Sequence, residues 1–359
     1  MITQRDLAQK LNLSQATISM ALQNNPRIPQ KLRDRIHKKA AELGYIPSPD
    51  LRSLSLRKRS TGKSIFRSTI AVIGQWKSPA ELKPHDVYEG YWKGIQRQAE
   101  NLGYKIDYFQ WNPETPNLKL PQTLHARGIH GAILLPYIQP LHLAGFDCSK
   151  LATVTFGYSV MTPHFHRVSH NHYQSLFQAL EQLQPGRFQK IGFTSYSDHR
   201  LMNLWTAAYL TYHHIHQQKT LPLFTHSHAI DAEAFLKWYH KNQPDLILTS
   251  HPQSVREILE KNSIRIPQKV SILSYSKRDG QEWFTGVKEE SIEAGIAAVN
   301  WVDQLQSQHQ YGIPKQSSLL LVSGNLVESH SLCLENRSSS QVGSTLKKRQ
   351  KSKTEAKTH

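Results

Sequence analysis

From Ser68 to Tyr275, short apolar runs alternate with longer amphipathic stretches, and that rhythm leaves few folds open. STIAVIG (68–74), YKIDYF (104–109), GAILLP (131–136) and ATVTFG (152–157) read as strands, with EGYWKGIQRQAENLG as a helix that stops at Gly103. The pattern then starts again. HYQSLFQALEQL is a helix closed by Pro185-Gly186, KIGFT a strand, LMNLWTAAYLTYHH a helix, PDLILTS (244–250) a strand, SVREILEKN a helix and VSILSY a strand. Nearly continuous apolar strands between helices imply parallel sheets covered on both faces. The repetition predicts two α/β lobes of similar design facing each other across a cleft.

A length of 359 residues exceeds what one core usually holds, and 38% hydrophobic residues with seven Trp, fourteen Tyr and eleven Phe exclude a wholly disordered chain. Two cysteines, Cys148 and Cys333, argue against a disulfide framework and a multi-cysteine zinc site. Of His213, His214 and His216, only the first and third would share a helix face, and no nearby Cys or carboxylate completes a set, so no metal site is expected. G-x-S-x-G, P-loop, HExxH and CxxC patterns are all missing, so neither a catalytic residue nor a cofactor is expected. The start lacks the basic-then-apolar pattern of a secretory signal, and no run approaches the roughly 18 apolar residues of a membrane span. A cytoplasmic protein with no membrane partner is expected.

Charge divides the chain differently from the strand pattern. The net charge is +17, yet residues 1–67 hold fourteen Lys/Arg against four Asp/Glu, and residues 337–359 hold seven against one. The 23 basic and 22 acidic residues in between nearly cancel. A basic module on a near-neutral globule suggests that one part meets a polyanion while the other does something else.

The basic start has its own pattern. Thr3 with Asp6 three residues on, then Leu7, Ala8 and Leu11, predicts a capped helix over about 4–10, and Asn12-Leu13 a tight turn. Ser14 can accept from the N–H of Ala16 or Thr17 and cap a second helix whose Ile18, Ala21 and Leu22 face inward. A third helix fits Pro29 to Leu43, with Leu32, Ile36, Ala40 and Leu43 on one stripe, Pro29 in its first turn and Gly44 as its stop. Spacing alone also suits any short α-helical bundle. Two short helices joined by a turn, the second with small polar residues on its outer first turn, form a helix-turn-helix.

Four stretches in order, T-x-x-D-L-A, L-S-x-x-T-I-S, R-I-P and A-E-L-G-Y-I-P, closely resemble the DNA-binding headpiece of the lactose/galactose repressor (LacI/GalR) family of transcription regulators. The markers P-D-L-I-L-T-S, I-P-Q-K-V-S-I-L-S-Y and V-S-G-N-L-V-E-S-H-S-L extend the resemblance to about residue 332, over a two-lobed, type I periplasmic-binding-protein-like core. The resemblance implies a homodimeric regulator, most often a repressor, on a pseudo-palindromic double-stranded DNA operator. It places Gln15, Ala16 and Met20 against base edges, Thr3, Ser14, Thr17, Ser19 and Asn24 on the phosphate backbone, and Gln4 among the DNA contacts. Where relatives often carry a guanine-reading Arg, Met20 has no donor, and contact with a thymine methyl is the substitute. The segment SPDLRSLSLRKRS matches a hinge in which Leu54 takes the place of a minor-groove wedge.

The implied organisation is a headpiece over 1–47, a hinge helix and linker over 48–67, a core over 68–335 and a disordered basic tail over 336–359. Within the core, one lobe is expected at about 68–165 and 290–321, the other at 166–289 and 322–335. The implied effector is a small, often sugar-like molecule, with Gln75, Trp76, Tyr137, Arg200, His251 and Ser276 as candidate contacts. Here the chain departs from the family: His251-Pro252 replaces a common Asn-Asp, Ser276 an Asp after Tyr275, and Asn171 a further Asp. The carboxylates that would fork onto sugar hydroxyls are gone. The alternative is a carbohydrate-binding or -processing protein whose basic ends serve solubility. Removing residues 1–60 separates the two.

Overall fold

The computed structural model describes residues 4–22, 28–43, 68–83, 85–183, 185–196, 202–227 and 229–332. The basic start forms three helices, α1 (Gln4–Leu11), α2 (Gln15–Leu22) and α3 (Gln30–Glu42). Leu7, Ala8, Ile18, Ala21, Ile28, Ile36 and Ala40 make their shared core. Asn12 turns the chain at a positive φ of 51°, and the Leu13 N–H donates back to the Ala8 carbonyl at 2.9 Å. Pro29 precedes α3, so the helix starts where a backbone N–H is not needed. Thr3 and Gly44, the expected cap and stop, lie outside the described residues, as do the hinge and the tail.

Beyond residue 67 the chain divides into two compact units, with the divisions at 170/171, 289/290 and 322/323. The first unit contains β1 (Ser68–Gly74), α4 (Asp86–Leu102), β2 (Tyr104–Gln110), α5 (Leu120–Ala126), β3 (Gly131–Leu134), β4 (Leu141–His142), β5 (Ala152–Phe156), β6 (Val160–Thr162) and β7 (His166–His170). Its main sheet runs β13-β7-β5-β3-β1-β2, where β13 is Leu319–Val322, and every pairing in it is parallel. The first division falls five residues beyond the expected 165 because β7, a strand without an apolar run, pairs with β5 and β13.

Alternation along β1 shows why both faces are covered. Ile70 and Val72 pack with Tyr91, Ile95, Ala298 and Val302 from the helices, while Ala71 and Ile73 pack on the opposite face with Trp111, Leu124 and Phe165.

The second unit contains α6 (His172–Gln182), β8 (Ile191–Tyr196), α7 (Met202–Ile215), β9 (Phe224–His226), α8 (Ala232–Asn242), β10 (Leu246–Thr249), α9 (Pro252–Lys261), β11 (Ser271–Lys277), β12 (Thr285–Lys288) and β14 (Asn325–Val327). Its sheet runs β14-β12-β11-β10-β8-β9. Leu246 and Leu248 face Leu180, Tyr209 and Tyr275, whereas Ile247 faces Phe235, Val255 and Leu259. One pairing departs from the all-parallel expectation. β14 runs antiparallel to β12, as a strand that arrives without a crossover helix over its own sheet is free to do. Back in the first unit, α10 (Ser291–Ser307) packs against α4 at the small residues Gly94 and Gly295. Among the described residues, no helix is long and apolar enough to cross a membrane.

Candidate functional site

Two places among the described residues present chemistry. The first is the outer face of the three-helix unit. The Ser14 Oγ accepts from the Thr17 N–H at 3.0 Å and lies 2.8 Å from the Thr17 hydroxyl, so the cap expected of Ser14 is made and Thr17 is part of it. The cap anchors the start of α2 and leaves Gln15 and Ala16 exposed on its first turn. Met20, on the same helix, is half-buried and packs against the headpiece core. Gln4 and Ser19 are also half-buried. Thr3, Asn24 and Leu54 lie outside the described residues. On α3, Lys31, Arg35 and Lys38 are exposed, so the unit carries its positive charge on the surface.

The second place is a cavity of about 370 Å3 within the second unit, at the carboxyl ends of its parallel strands. Tyr196 ends β8, Ser250 and His251 follow β10, Ser276 and Arg278 come from the end of β11, and Gln253 and Ser254 from the first turn of α9. Trp205 of α7 and Gln281 complete the polar and aromatic wall. Strand ends of an open parallel sheet are where such folds gather ligands.

A chain of short contacts orders the cavity floor. The Tyr275 hydroxyl lies 3.2 Å from the Thr194 carbonyl and 3.1 Å from Ser250 Oγ, which in turn sits 2.9 Å from His251 Nδ1. The His251 N–H donates to Thr249 Oγ1 at 3.0 Å, and Thr194 donates to the same oxygen at 2.8 Å. The His226 ring meets His251 edge-on, 5.0 Å between centroids. Burial, followed by the neighbouring His226 and the Arg278 guanidinium, pulls the His251 imidazole down to about 4. Burial likewise lowers His226. Burial also holds the Tyr275 phenol up at about 12, despite its hydrogen bonding with Ser250. At neutral pH, Arg278 is therefore the one charged side chain among the described residues lining the cavity.

The six expected effector contacts fall on different units of the chain. His251 and Ser276 meet in this cavity. Gln75 and Trp76 belong to the first unit, where Gln75 Oε1 accepts from the Ile138 N–H at 3.3 Å and Trp76 packs edge-on to Tyr88. Tyr137 requires a correction: it is 1% exposed, its ring lies in the core beneath the first sheet, and its hydroxyl donates to the Trp111 carbonyl at 3.2 Å. A ring so enclosed packs and does not stack on a ligand. Arg200 lies outside the described residues. Tyr196, Ser250, Arg278 and Gln281 were not anticipated, although three of them sit at or just beyond strand ends, where the strand pattern could have pointed to them.

Comparison with known proteins bears on the first of these places and on the fold. Residues 3–48 match the family described as bacterial regulatory proteins, lacI family. The HTH-type transcriptional repressor CytR of Escherichia coli (strain K12) is 40% identical over 104 residues, covering 29% of this chain and 26% of that repressor. The chain thus spans about a quarter of the length of the curated relatives it first matches. Solved structures that share the fold over 92% of this chain include two of direct interest. One is the lac repressor dimer bound to operator and the anti-inducer ONPF, at a TM-score of 0.55, 17% identity and 99% of that chain covered. The other is the complex of the transcriptional regulator CelR with cellobiose, at 0.55, 13% and 100%.

Proposed function

We propose that this chain, which carries a lacI-family module at residues 3–48 ahead of a core with the fold of LacI-type repressors, is a sequence-specific transcriptional regulator, most readily a repressor. It binds a pseudo-palindromic operator as a homodimer in the cytoplasm, associated with the nucleoid when bound, and a small molecule in the core modulates it. The observation that carries this reading is the Ser14-capped helix α2, held by one face on the headpiece core while Gln15 and Ala16 stand exposed on its first turn. A second helix lying in the major groove with its N-terminal residues on base edges is the geometry of helix-turn-helix readers.

In this reading residues 1–47 are the headpiece, 48–67 a hinge with Leu54 as its wedge, 68–335 the core and 336–359 a basic tail. It includes no catalytic role, and the relatives above are regulators. The test is selection from random duplex oligonucleotides with the purified full chain. Enrichment of a two-fold-symmetric motif is expected, and Gln15→Ala should change the preferred base at one position in each half-site. Recovery of no motif, or an unchanged motif in the variant, overturns the reading. Gln15 is a cleaner probe than Met20, whose packing on the headpiece core couples base contact to stability.

A further inference from the structure

We infer that the cavity of the second unit takes a small planar ring bearing an anionic group, a carboxylate or a phosphate, in preference to a neutral sugar. The inference deepens the function proposed above and rests on it for the cavity being the site of regulation. The binding chemistry is read from the cavity itself.

Three features point to an anion. Arg278 lines the cavity, and no carboxylate pairs with it among the described residues. The α9 helix, ten residues long, begins in the wall with Pro252, and its N-cap residue, His251, makes no side-chain cap. The N–H groups of Gln253 and Ser254, which precede the first closed turn of that helix, have no partner among the described residues. Open N–H groups at a helix start favour negative charge. Independently of the helix, Ser276 lines the cavity while only 7% exposed, and its hydroxyl makes no hydrogen bond among the described residues. The pairing of β11 with β12 shifts register between Ser274 and Lys277, and such an irregularity re-aims the side chains it contains. That hydroxyl is a second polar group, apart from the helix start, that an occupant of the cavity can reach.

Two features point to a ring. Tyr196 and Trp205 line the same cavity, with Trp205 set by its tilted contact with Tyr275 at 5.1 Å. His251, neutral at pH 7, adds a third flat face and repels neither an anion nor an apolar edge.

What the wall lacks tells against a sugar. Among the described residues none that lines the cavity is Asp or Glu, so the described wall offers vicinal hydroxyls no carboxylate to fork onto and an amine no counter-charge. A volume of about 370 Å3 holds one or two fused rings with a short anionic arm.

The experiment is calorimetric titration of the full chain with matched pairs: benzoate against benzamide, adenosine 5′-monophosphate against adenosine, and glucose and cellobiose as neutral sugars. At least one anionic ring should bind at least 10-fold more tightly than its neutral partner and than either sugar. Arg278→Gln should erase that preference while leaving the neutral partner's affinity within about 2-fold, and Ser276→Ala should weaken the anion more than the neutral ring. The relative strength of benzoate and the monophosphate distinguishes carboxylate from phosphate. Tighter binding of a sugar, equal binding within both pairs, a preference that survives Arg278→Gln, or no binding of either anion at millimolar concentration overturns the inference. Selection on random duplex DNA, run on the same preparation without ligand, tests the regulatory reading separately. Loss of a motif with retained anion preference refutes that reading and leaves the ligand class standing.

Discussion

His251 carries the clearest consequence of burial at the level of one side chain. An unfolded histidine titrates near pH 6.5, whereas in the fold this one is pulled to about 4, first by burial and then by His226 and Arg278. Between those values the unfolded chain takes up a proton that the folded chain refuses. Stability is therefore complete above about pH 6.5 and declines as the pH falls toward 4. Because the ring is only half-buried, solvent screening holds the effect to roughly 1–2 kcal/mol. The urea midpoint of the second unit should drop between pH 7 and pH 5, and His251→Gln should flatten that drop; an equal drop in the variant refutes the assignment. Ser14 offers a second test at this scale. Its hydroxyl is the acceptor for the Thr17 N–H, so Ser14→Ala should lower headpiece stability by about 1 kcal/mol, read by thermal unfolding of the helical signal. An unchanged melting curve would mean the cap contributes nothing. Both roles differ in how far the chain alone revealed them. Ser14 was legible because a cap is decided within four residues, whereas the environment of His251 depends on His226 and Arg278, which only the fold brings near it.

Packing between whole elements is most exposed to substitution where α4 crosses α10. A Cβ on Gly94 would overlap the Ile292 carbonyl oxygen and approach the Gly295 Cα to 3.0 Å, and one on Gly295 would overlap the Tyr91 carbonyl oxygen. The two helices touch backbone to backbone, and both bury Tyr91, Ile95, Ala294 and Ala298 in the same cluster. Gly94→Ala must push them apart, and a loss of about 1–3 kcal/mol is expected. Thermal unfolding measures it, and a variant as stable as the parent would show that the crossing yields without cost. Helix α4 itself was readable, because its apolar period runs cleanly to Gly103, which adopts a φ of 78° at the C-terminus. The crossing was not, since Gly94 looks locally like a helix-weakening residue and only its distant partner explains it. The same holds for β7, whose HRVSH has no apolar run and becomes a strand through neighbours on either side.

At the scale of the molecule, the basic start and the near-neutral core should separate by function. Removing residues 1–67 takes away fourteen Lys/Arg against four Asp/Glu and the three-helix unit with them. The truncated protein should lose retention on DNA and keep its ring-anion affinity; parallel loss of both would contradict the division. Full-length binding should fall steeply with salt, with a slope of about 0.9 in log K for each phosphate contacted, and a flat response would exclude grip on the phosphate backbone. The sequence by itself determined the helix-turn-helix pattern, the cap at Ser14, the doubled α/β rhythm and the segregation of charge. All of these are local or additive along the chain, set by residues within a turn or two of each other or by simple counting. Only the tertiary structure decided that Tyr196, His251, Ser276 and Arg278, spread over more than eighty positions, share one cavity while Tyr137 is sealed in a core. Neighbours in a parallel sheet are chosen by crossover connections, and the order β9-β8-β10-β11 that brings those strand ends together appears in no stretch of sequence short enough to read.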